Sequence, residues 1–206
     1  MDLTVAMHND AARRILKLAQ QSAVLRPRDL DAQGIPRKYL RQLCQSGLIR
    51  RIGRGLYVLP SAEATENRTL AEVAKQVPGG VVCLLSALQF HRITTQAPYE
   101  VWLAIDRKAW RPTSPELPMR IVRFSGDALN QGIEEHRVEG VPVKIYTPAK
   151  TVADCFKYRN KIGLDVALEA LRDCWKQRRA TMDEFWQAAK ICRVANVMRP
   201  YLESLT

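Results

Sequence analysis

Apolar residues recur at helical spacing through the first part of the chain. Within Ala11–Gln21 the apolar side chains return every three or four positions, which is typical of an amphipathic helix. A short second helix is expected at Pro27–Ala32. A third should start near Pro36, a residue suited to the first helical turn, and run to Ser46, where Gly47 follows as a stop signal. The pattern therefore predicts three consecutive helices.

Two short β-prone runs follow the third predicted helix. Leu48–Ile52 and Leu56–Leu59 are separated by Gly53-Arg54-Gly55, and two glycines around one residue favour a tight hairpin. Three helices followed by a hairpin form the element order of a winged helix-turn-helix. The polar run Ser61–Asn67 is expected to be a linker. We therefore predict a winged helix-turn-helix domain at residues 1–60, a linker at 61–67 and a second domain at 68–206.

The second domain begins as a mixture of helices and strands. Val81–His91 is mostly apolar and is compatible with a buried helix or with a strand. Glu139-Gly140 separates two β-prone runs and is a strong signal for a two-residue hairpin turn. Other expected elements are a helix at Thr69–Gln76 and strands at Val101–Ile105, Met119–Phe124, Glu134–Val138 and Val141–Tyr146.

Helices dominate the last third of the chain. Two helix starts are marked by capping residues, Thr147 before Pro148 and Thr181 with Glu184. A last helix is expected at Asn196–Ser204. The predicted fold class is therefore α+β, with a winged helix-turn-helix followed by a mixed α/β domain that ends in a helical cluster.

The charge balance indicates an anionic partner. The chain carries 32 Lys and Arg against 21 Asp and Glu, a net charge of +11. A basic excess of this size favours nucleic acid over a membrane surface. Its longest apolar stretch, around Val81–Leu88, is too short to cross a bilayer, so no membrane partner is expected.

The third predicted helix and the hairpin concentrate this positive charge. On a helix, Leu40, Leu43 and Cys44 share one face, and the opposite face carries cations and amides without any acid. Arginine can grip a guanine edge and glutamine an adenine edge, whereas lysine suits phosphate. The predicted DNA-binding residues are Arg37, Lys38, Arg41, Gln42 and Gln45 on the helix, and Arg50, Arg51 and Arg54 on the hairpin.

Other interpretations of these residues stay open. The helix and hairpin can be a solvated basic surface, and a winged helix can bind protein instead of DNA. Tyr39 can contact a DNA backbone or pack beneath the helix. Two further basic clusters, Lys157-Arg159-Lys161 and Lys176-Arg178-Arg179, are compatible with solvated helix ends or with a second nucleic-acid surface.

Signals for catalysis and for bound metals are weak. The chain has five cysteines, without CxxC spacing, which indicates reduced thiols in a cytosolic protein. No Gly-rich phosphate loop occurs, so no cofactor or metal is expected. His91 has no nucleophile partner in sequence, and Lys150 with Asp154 is expected to form an ion pair one helical turn apart. An alternative function, a nuclease targeted by the winged helix, would need a metal site, and the candidate ligands are Glu134, Glu135 and Asp154.

Three stretches, taken in order, carry a family resemblance. They are RRIGRGLYVLP at Arg50–Pro60, LLSALQFHRITTQAPYEVWLAI at Leu84–Ile105 and IYTPAKTVADCFKYRNKIGLDVALEAL at Ile145–Leu171. In this combination the chain resembles the AbiEi-type antitoxins of bacterial abortive-infection (type IV) toxin–antitoxin systems. One position departs from the expected pattern, since Arg92 stands where a small residue is expected after His91.

The resemblance implies a non-enzymatic regulator. It implies a transcriptional autorepressor whose winged helix binds inverted repeats in its own promoter. The second domain would antagonise a cognate nucleotidyltransferase-like toxin without forming a stable complex with it. Inverted repeats would place two protomers on the DNA, although no heptad-like dimerisation helix is evident, so a monomer or weak dimer is expected.

Overall fold

The structure is a computed structural model that describes residues 3–22, 24–60, 67–112 and 117–205, with side chains from Asp10 onward. The expected linker lies outside the described residues except for Asn67. The chain forms two compact units. The first comprises residues 1–78 with 113–117 and 137–143, and the second comprises 79–112, 118–136 and 144–206.

The first unit contains the predicted three helices and hairpin. The third helix begins at Lys38, two residues after the predicted start, because Pro36 and Arg37 form the turn that precedes it. A fourth helix follows the hairpin. The elements are α1 (Leu3–Gln21), α2 (Pro27–Asp31), α3 (Lys38–Gln45), β1 (Arg50–Gly53), β2 (Leu56–Val58) and α4 (Arg68–Gln76).

A small apolar core joins α1, α2 and α3 to the hairpin. Ile15 of α1 and Leu30 of α2 are fully buried, and Leu40 of α3 is 2% exposed. The segment before α2 also pairs with the hairpin. The N–H of Leu25 donates to the carbonyl of Tyr57 at 2.8 Å, and the N–H of Tyr57 donates back at 3.0 Å. This bridge adds a third extended segment beside the two strands.

The second unit is built on a five-stranded mixed sheet. The strand order is β5-β4-β3-β7-β6, in which β3 is antiparallel to β4 and parallel to β7, and β4 is parallel to β5. Val81–His91 contains both expected alternatives, because a two-residue strand leads directly into a helix. The strands are β3 (Val81–Val82), β4 (Val101–Asp106), β5 (Met119–Phe124), β6 (Ile133–Val138) and β7 (Val141–Tyr146).

Helices cover this sheet and form the predicted helical cluster. The central helix α7 contacts α5, α9, α10 and α11. Phe156 of α7, Phe185 of α10 and Met198 of α11 are fully buried in the shared core. The helices are α5 (Leu84–His91), α6 (Asp127–Asn130), α7 (Pro148–Lys157), α8 (Arg159–Ile162), α9 (Leu164–Lys176), α10 (Met182–Ile191) and α11 (Ala195–Glu203).

The local signals named in the sequence have the expected geometry. The Thr147 hydroxyl accepts from the N–H of Lys150 at 3.4 Å, which caps α7. Thr181 and Glu184 form the capping box of α10. Glu139 and Gly140 both have positive φ, 52° and 73°, as a two-residue hairpin turn of the primed type requires. These capping and turn predictions are confirmed.

The five cysteines are free thiols, and all except Cys44 are buried. Burial raises the pKa of each of the four buried thiols, so they stay protonated at neutral pH. In the described part of the chain, every helix is too short or too polar to span a bilayer.

Candidate nucleic-acid interface

Helix α3 has one buried face and one exposed face. Tyr39, Leu40 and Leu43 are buried against the core of the first unit. Tyr39 therefore packs beneath the helix, which decides between the two positions considered for it. The predicted DNA-binding residues of this segment, Arg37, Lys38, Arg41, Gln42 and Gln45, are all exposed.

The hairpin presents the other three predicted residues. Arg50 and Arg51 are exposed on β1, opposite Val58 and Tyr57 on β2, and Arg54 is exposed at the turn. The turn is tight because Gly55 has φ 71°, a conformation that glycine adopts at little cost. The side chain of Arg51 donates from Nε to the carbonyl of Gly53 at 3.1 Å, which fixes its stem along the strand.

Asp31 corrects one part of the predicted surface. The face of α3 was expected to lack any carboxylate partner, but Asp31 at the end of α2 binds Arg37, with Nε 2.9 Å from Oδ1 and Nη2 also bonded to Oδ2. The hydrogen bond from Arg37 lowers the pKa of Asp31, and Asp31 raises the pKa of Arg37. The expectation was wrong at Arg37 because the acid comes from the preceding helix and not from the face of α3 itself.

The remaining cations of this surface form no ion pair in the described part of the chain. Among the residues that the structure describes, no carboxylate forms an ion pair with Lys38, Arg41, Arg50, Arg51 or Arg54. Lys38 lies with its ammonium 5.3 Å from the centre of the Tyr39 ring, a cation–π contact that leaves its N–H groups exposed. These five side chains therefore define the unpaired part of the basic surface.

Helix α2 is anchored by contacts that the sequence analysis missed. The N–H of Arg26 donates to the Asp29 carboxylate at 2.8 Å, and Asp29 also accepts from Lys75 of α4 at 2.7 Å. Arg26 in turn donates to the carbonyl of Lys75. The sequence did contain a signal for this arrangement. Asp29 stands three residues after Arg26, the residue that precedes α2, and a capping box uses this spacing. Together these contacts hold α2, and with it the position of α3.

The carboxylates considered for a nuclease metal site do not provide one. In the described ranges, no group of three or more His, Cys, Asp or Glu side chains is arranged to hold a metal ion. Asp154 is buried and bound to Lys150, with Nζ 2.6 Å from Oδ2. Glu134 is exposed and lies 3.1 Å from Nε2 of His136. His91 is buried, with Nε2 2.7 Å from the carbonyl of Tyr146, in agreement with a structural histidine.

The basic clusters of the second unit are at helix ends. Lys157 and Lys161 are exposed near the ends of α7 and α8, and Lys176, Arg178 and Arg179 are exposed at the end of α9. The exception is Arg159, which is half-buried and donates to the carbonyl of Phe156 at 2.9 Å. This position agrees with the first interpretation considered for these clusters, solvated helix ends, because cations favour helix C-termini.

The first unit thus has the architecture of a DNA-binding regulator of the winged helix-turn-helix class, with a basic third helix followed by a basic hairpin. Residues 13–60 match the family described as "Transcriptional regulator, AbiEi antitoxin". The resemblance noted in the sequence is therefore confirmed for this segment, which makes up less than a quarter of the chain and contains the first of the three stretches. No curated protein sequence matches the chain.

A solved structure has a similar fold over most of the chain. The crystal structure of the RV2827C protein from Mycobacterium tuberculosis superposes with a TM-score of 0.58 at 13% sequence identity. The alignment covers 88% of this chain and 71% of the mycobacterial chain. At this identity the likeness concerns the fold alone, and it extends beyond the segment that the family model covers.

Proposed function

We propose that this protein is a transcriptional autorepressor and an antitoxin, and that its DNA-binding surface consists of α3 and the β1–β2 hairpin. The observation that carries the proposal is the exposed group formed by Lys38, Arg41, Arg50, Arg51 and Arg54, which has no carboxylate partner in the described structure. Like charges gathered in this way repel one another unless phosphates compensate them. Double-stranded DNA supplies such phosphates at regular spacing.

The residues divide by chemistry into two roles on DNA. Arg41, Gln42 and Gln45 lie on the exposed face of α3 and are proposed to read base edges, since guanidinium and amide groups form paired hydrogen bonds with guanine and adenine. Lys38, Arg50 and Arg51 are proposed to hold phosphates, which fixes the register of the protein. Arg54 at the hairpin tip is proposed to enter the adjacent minor groove or to clamp a phosphate.

The finer regulatory features rest on the family of the N-terminal segment. The operator is proposed to be an inverted repeat in the promoter of the protein's own gene, which would be occupied by two protomers that are otherwise monomeric or weakly dimeric. The second unit is proposed to counteract a nucleotidyltransferase-like toxin without a stable complex. The protein is proposed to act in the cytoplasm, where its DNA partner lies, and without catalysis of its own.

Gel-shift titration on the protein's own upstream DNA tests the repressor role. The double variant Arg41→Ala/Arg54→Ala should lose operator binding, because it removes one predicted base contact and the tip of the hairpin. The matched control is Lys144→Ala/Arg172→Ala, which removes the same charge from exposed positions in the second unit. The control should bind like the unaltered protein, and equal loss in both double variants would show that only total charge matters.

Co-expression tests the antitoxin role separately. A plasmid that expresses the proposed nucleotidyltransferase-like toxin should stop growth, and co-expression of this protein should restore it. The Arg41→Ala/Arg54→Ala variant, expressed from an unrelated promoter, should still restore growth, because the antagonism is assigned to the second unit. Failure of the unaltered protein to restore growth would contradict the antitoxin proposal while leaving the repressor proposal intact.

A further inference from the structure

A cavity in the second unit gathers cations from three elements. It has a volume of about 570 Å³ and lies between the end of β5, the end of α7 and the end of α10. This volume is within the range of small-molecule sites, which extends from roughly 300 to 1,000 Å³. Four of the residues that line it are basic, namely Arg123, Lys157, Lys190 and Arg193.

Arg123 is held in place by the backbone. Its Nη1 donates to the carbonyls of Asp106, Arg107 and Ala109 at 3.2, 2.8 and 2.9 Å. A guanidinium anchored through one nitrogen keeps its other N–H groups directed away from those carbonyls. Arg123 forms no ion pair in the described ranges and is one of the residues that line the cavity.

The other three cations converge from two helices. Lys157 is the last residue of α7, and Lys190 is in the last turn of α10. Within the described structure neither these lysines nor Arg193 forms an ion pair. A single cation at a helix end is explained by the helix dipole. Three of them around one cavity, together with Arg123 from a strand, outnumber the two acids that line it, Asp127 and Asp154.

Arg193 has a backbone conformation that suits glycine better. Its φ is 58°, in the left-handed region, and it follows Cys192, the residue that caps the end of α10. Glycine is the usual residue at this position after a helix, since a Cβ atom is disfavoured there. The same conformation occurs at Arg92 and Arg178 after α5 and α9, so it marks a helix end, and only the position of Arg193 at the cavity bears on a ligand.

The remaining wall offers aromatic and acidic groups. Tyr158 is half-buried and its ring lies 5.7 Å, centre to centre, from that of Phe124. Asp127 is exposed at the cavity, and Asp154 also lines it, although its carboxylate already binds Lys150 and Cys192. An aromatic face accepts a base by stacking, and a free carboxylate accepts hydrogen bonds from ribose hydroxyls or base amino groups.

We propose that this cavity binds a nucleotide, with its phosphates among Lys157, Lys190, Arg193 and Arg123 and its base against Tyr158. Inorganic phosphate alone would leave most of the volume and the aromatic wall unused. A nucleoside without phosphate would leave the cations uncompensated. The proposal is independent of the DNA-binding surface, because every residue in it belongs to the second unit.

Displacement of a fluorescent ATP analogue from the full-length protein tests the proposal. ATP or GTP should displace the analogue, while adenosine and inorganic pyrophosphate should each compete about tenfold less well, because each lacks one half of the contacts. Arg193→Gly should weaken binding about tenfold, in line with one lost charged contact. The variant should fold, since glycine adopts a φ of 58° without strain.

Arg178→Gly is the matched control. Arg178 also has a left-handed backbone, with φ 52°, after helix α9, and it does not line the cavity. Arg178→Gly makes the same charge and backbone change away from the cavity, so it should leave nucleotide affinity unaltered. Arg41→Ala on the DNA-binding surface should also leave it unaltered. Absence of displacement by ATP and GTP would overturn the proposal. So would equal competition by pyrophosphate, or equal losses in Arg193→Gly and Arg178→Gly.

Discussion

The ammonium of Lys150 lies 2.6 Å from the carboxylate of Asp154, and neither side chain is exposed by more than 2%. Both belong to α7, one helical turn apart. Asp154 also accepts from the Cys192 thiol at 3.1 Å, and Lys150 lies 4.0 Å from the centre of the Tyr146 ring. Burial raises the pKa of Asp154, and Lys150 opposes that shift. The pair was predicted from its spacing, but its burial was not.

Removal of one partner of this pair should strongly destabilise the second unit. Asp154→Ala and Lys150→Met should each lower the free energy of unfolding by about 3–5 kcal/mol, because each leaves an unpaired charge in the core. The double variant Lys150→Met/Asp154→Leu should lose less than the sum of the two. Urea unfolding followed by tryptophan fluorescence reports this unit, since all four tryptophans lie in residues 102–186. A loss of less than about 1 kcal/mol in the free energy of unfolding of either single variant would contradict the prediction.

His91 should make the second unit less stable in mild acid. Burial lowers the pKa of His91, although its bond to the Tyr146 carbonyl and the nearby Glu134 oppose the shift, whereas Arg179 favours it. The unfolded chain, with a histidine pKa near 6.5, then binds a proton more readily than the native protein. The contribution of neutral His91 to the free energy of unfolding is therefore fully present above about pH 7. It declines as the pH falls through 6.5.

Comparison with His91→Gln isolates this effect. The glutamine amide can donate to the same carbonyl without titrating. The unaltered protein should lose more stability between pH 7.5 and pH 5.5 than the variant, with a slope of at most about 1.4 kcal/mol per pH unit. Urea unfolding at each pH measures the stability of both proteins. Equal losses of stability in the two proteins would contradict a neutral buried histidine.

Much of the fold could be predicted because its signals are local. Helix caps, glycine turns and apolar periodicity each involve residues within one or two turns of one another, and Thr181 with Glu184 is an example. The bridge between Leu25 and Tyr57 could not be predicted in this way, since it joins residues far apart in sequence without a turn signal. The same reason applies to Val81–Val82, whose two residues form a strand only because β4 and β7 lie on either side.

The candidate interface shows the same limit at the level of side chains. Exposure of Arg41 and Gln45 follows from helical periodicity, so it was predictable. The pairing of Arg37 with Asp31 depends on how α2 and α3 meet at the turn, which periodicity within one helix does not contain. Arg92 illustrates a third case. The resemblance leads to a small residue there, and the arginine that takes its place has a left-handed backbone with φ 57°.

Arg37 and Arg41 should contribute unequally to DNA binding. They stand one turn apart, but Arg37 is bound to Asp31 and Arg41 has no carboxylate partner among the described residues. Arg41→Ala should weaken specific binding by about 1–3 kcal/mol, as expected for a base-contacting arginine. Arg37→Ala should cost less than about 1 kcal/mol, because its charge is already offset by an exposed ion pair. Gel-shift titration at fixed salt measures both, and equal losses would show that Asp31 releases Arg37 on DNA.

The salt dependence of DNA binding should report how many phosphates the basic surface neutralises. Five side chains on α3 and the hairpin have no acidic partner in the described structure, namely Lys38, Arg41, Arg50, Arg51 and Arg54. Of these, Lys38, Arg50 and Arg51 are proposed to hold phosphates, and Arg54 makes a fourth if it clamps one. Each neutralised phosphate adds about −0.9 to the slope of log affinity against log salt, so the slope per protomer should be about −2.7 to −3.6. Asp31→Asn should make it steeper by about 0.9, because Arg37 then joins the set. Fluorescence anisotropy with labelled operator DNA over a range of salt concentrations measures the slope. A value near zero would mean that this surface does not meet phosphate, and an unchanged slope in Asp31→Asn would mean that Arg37 stays outside the contact.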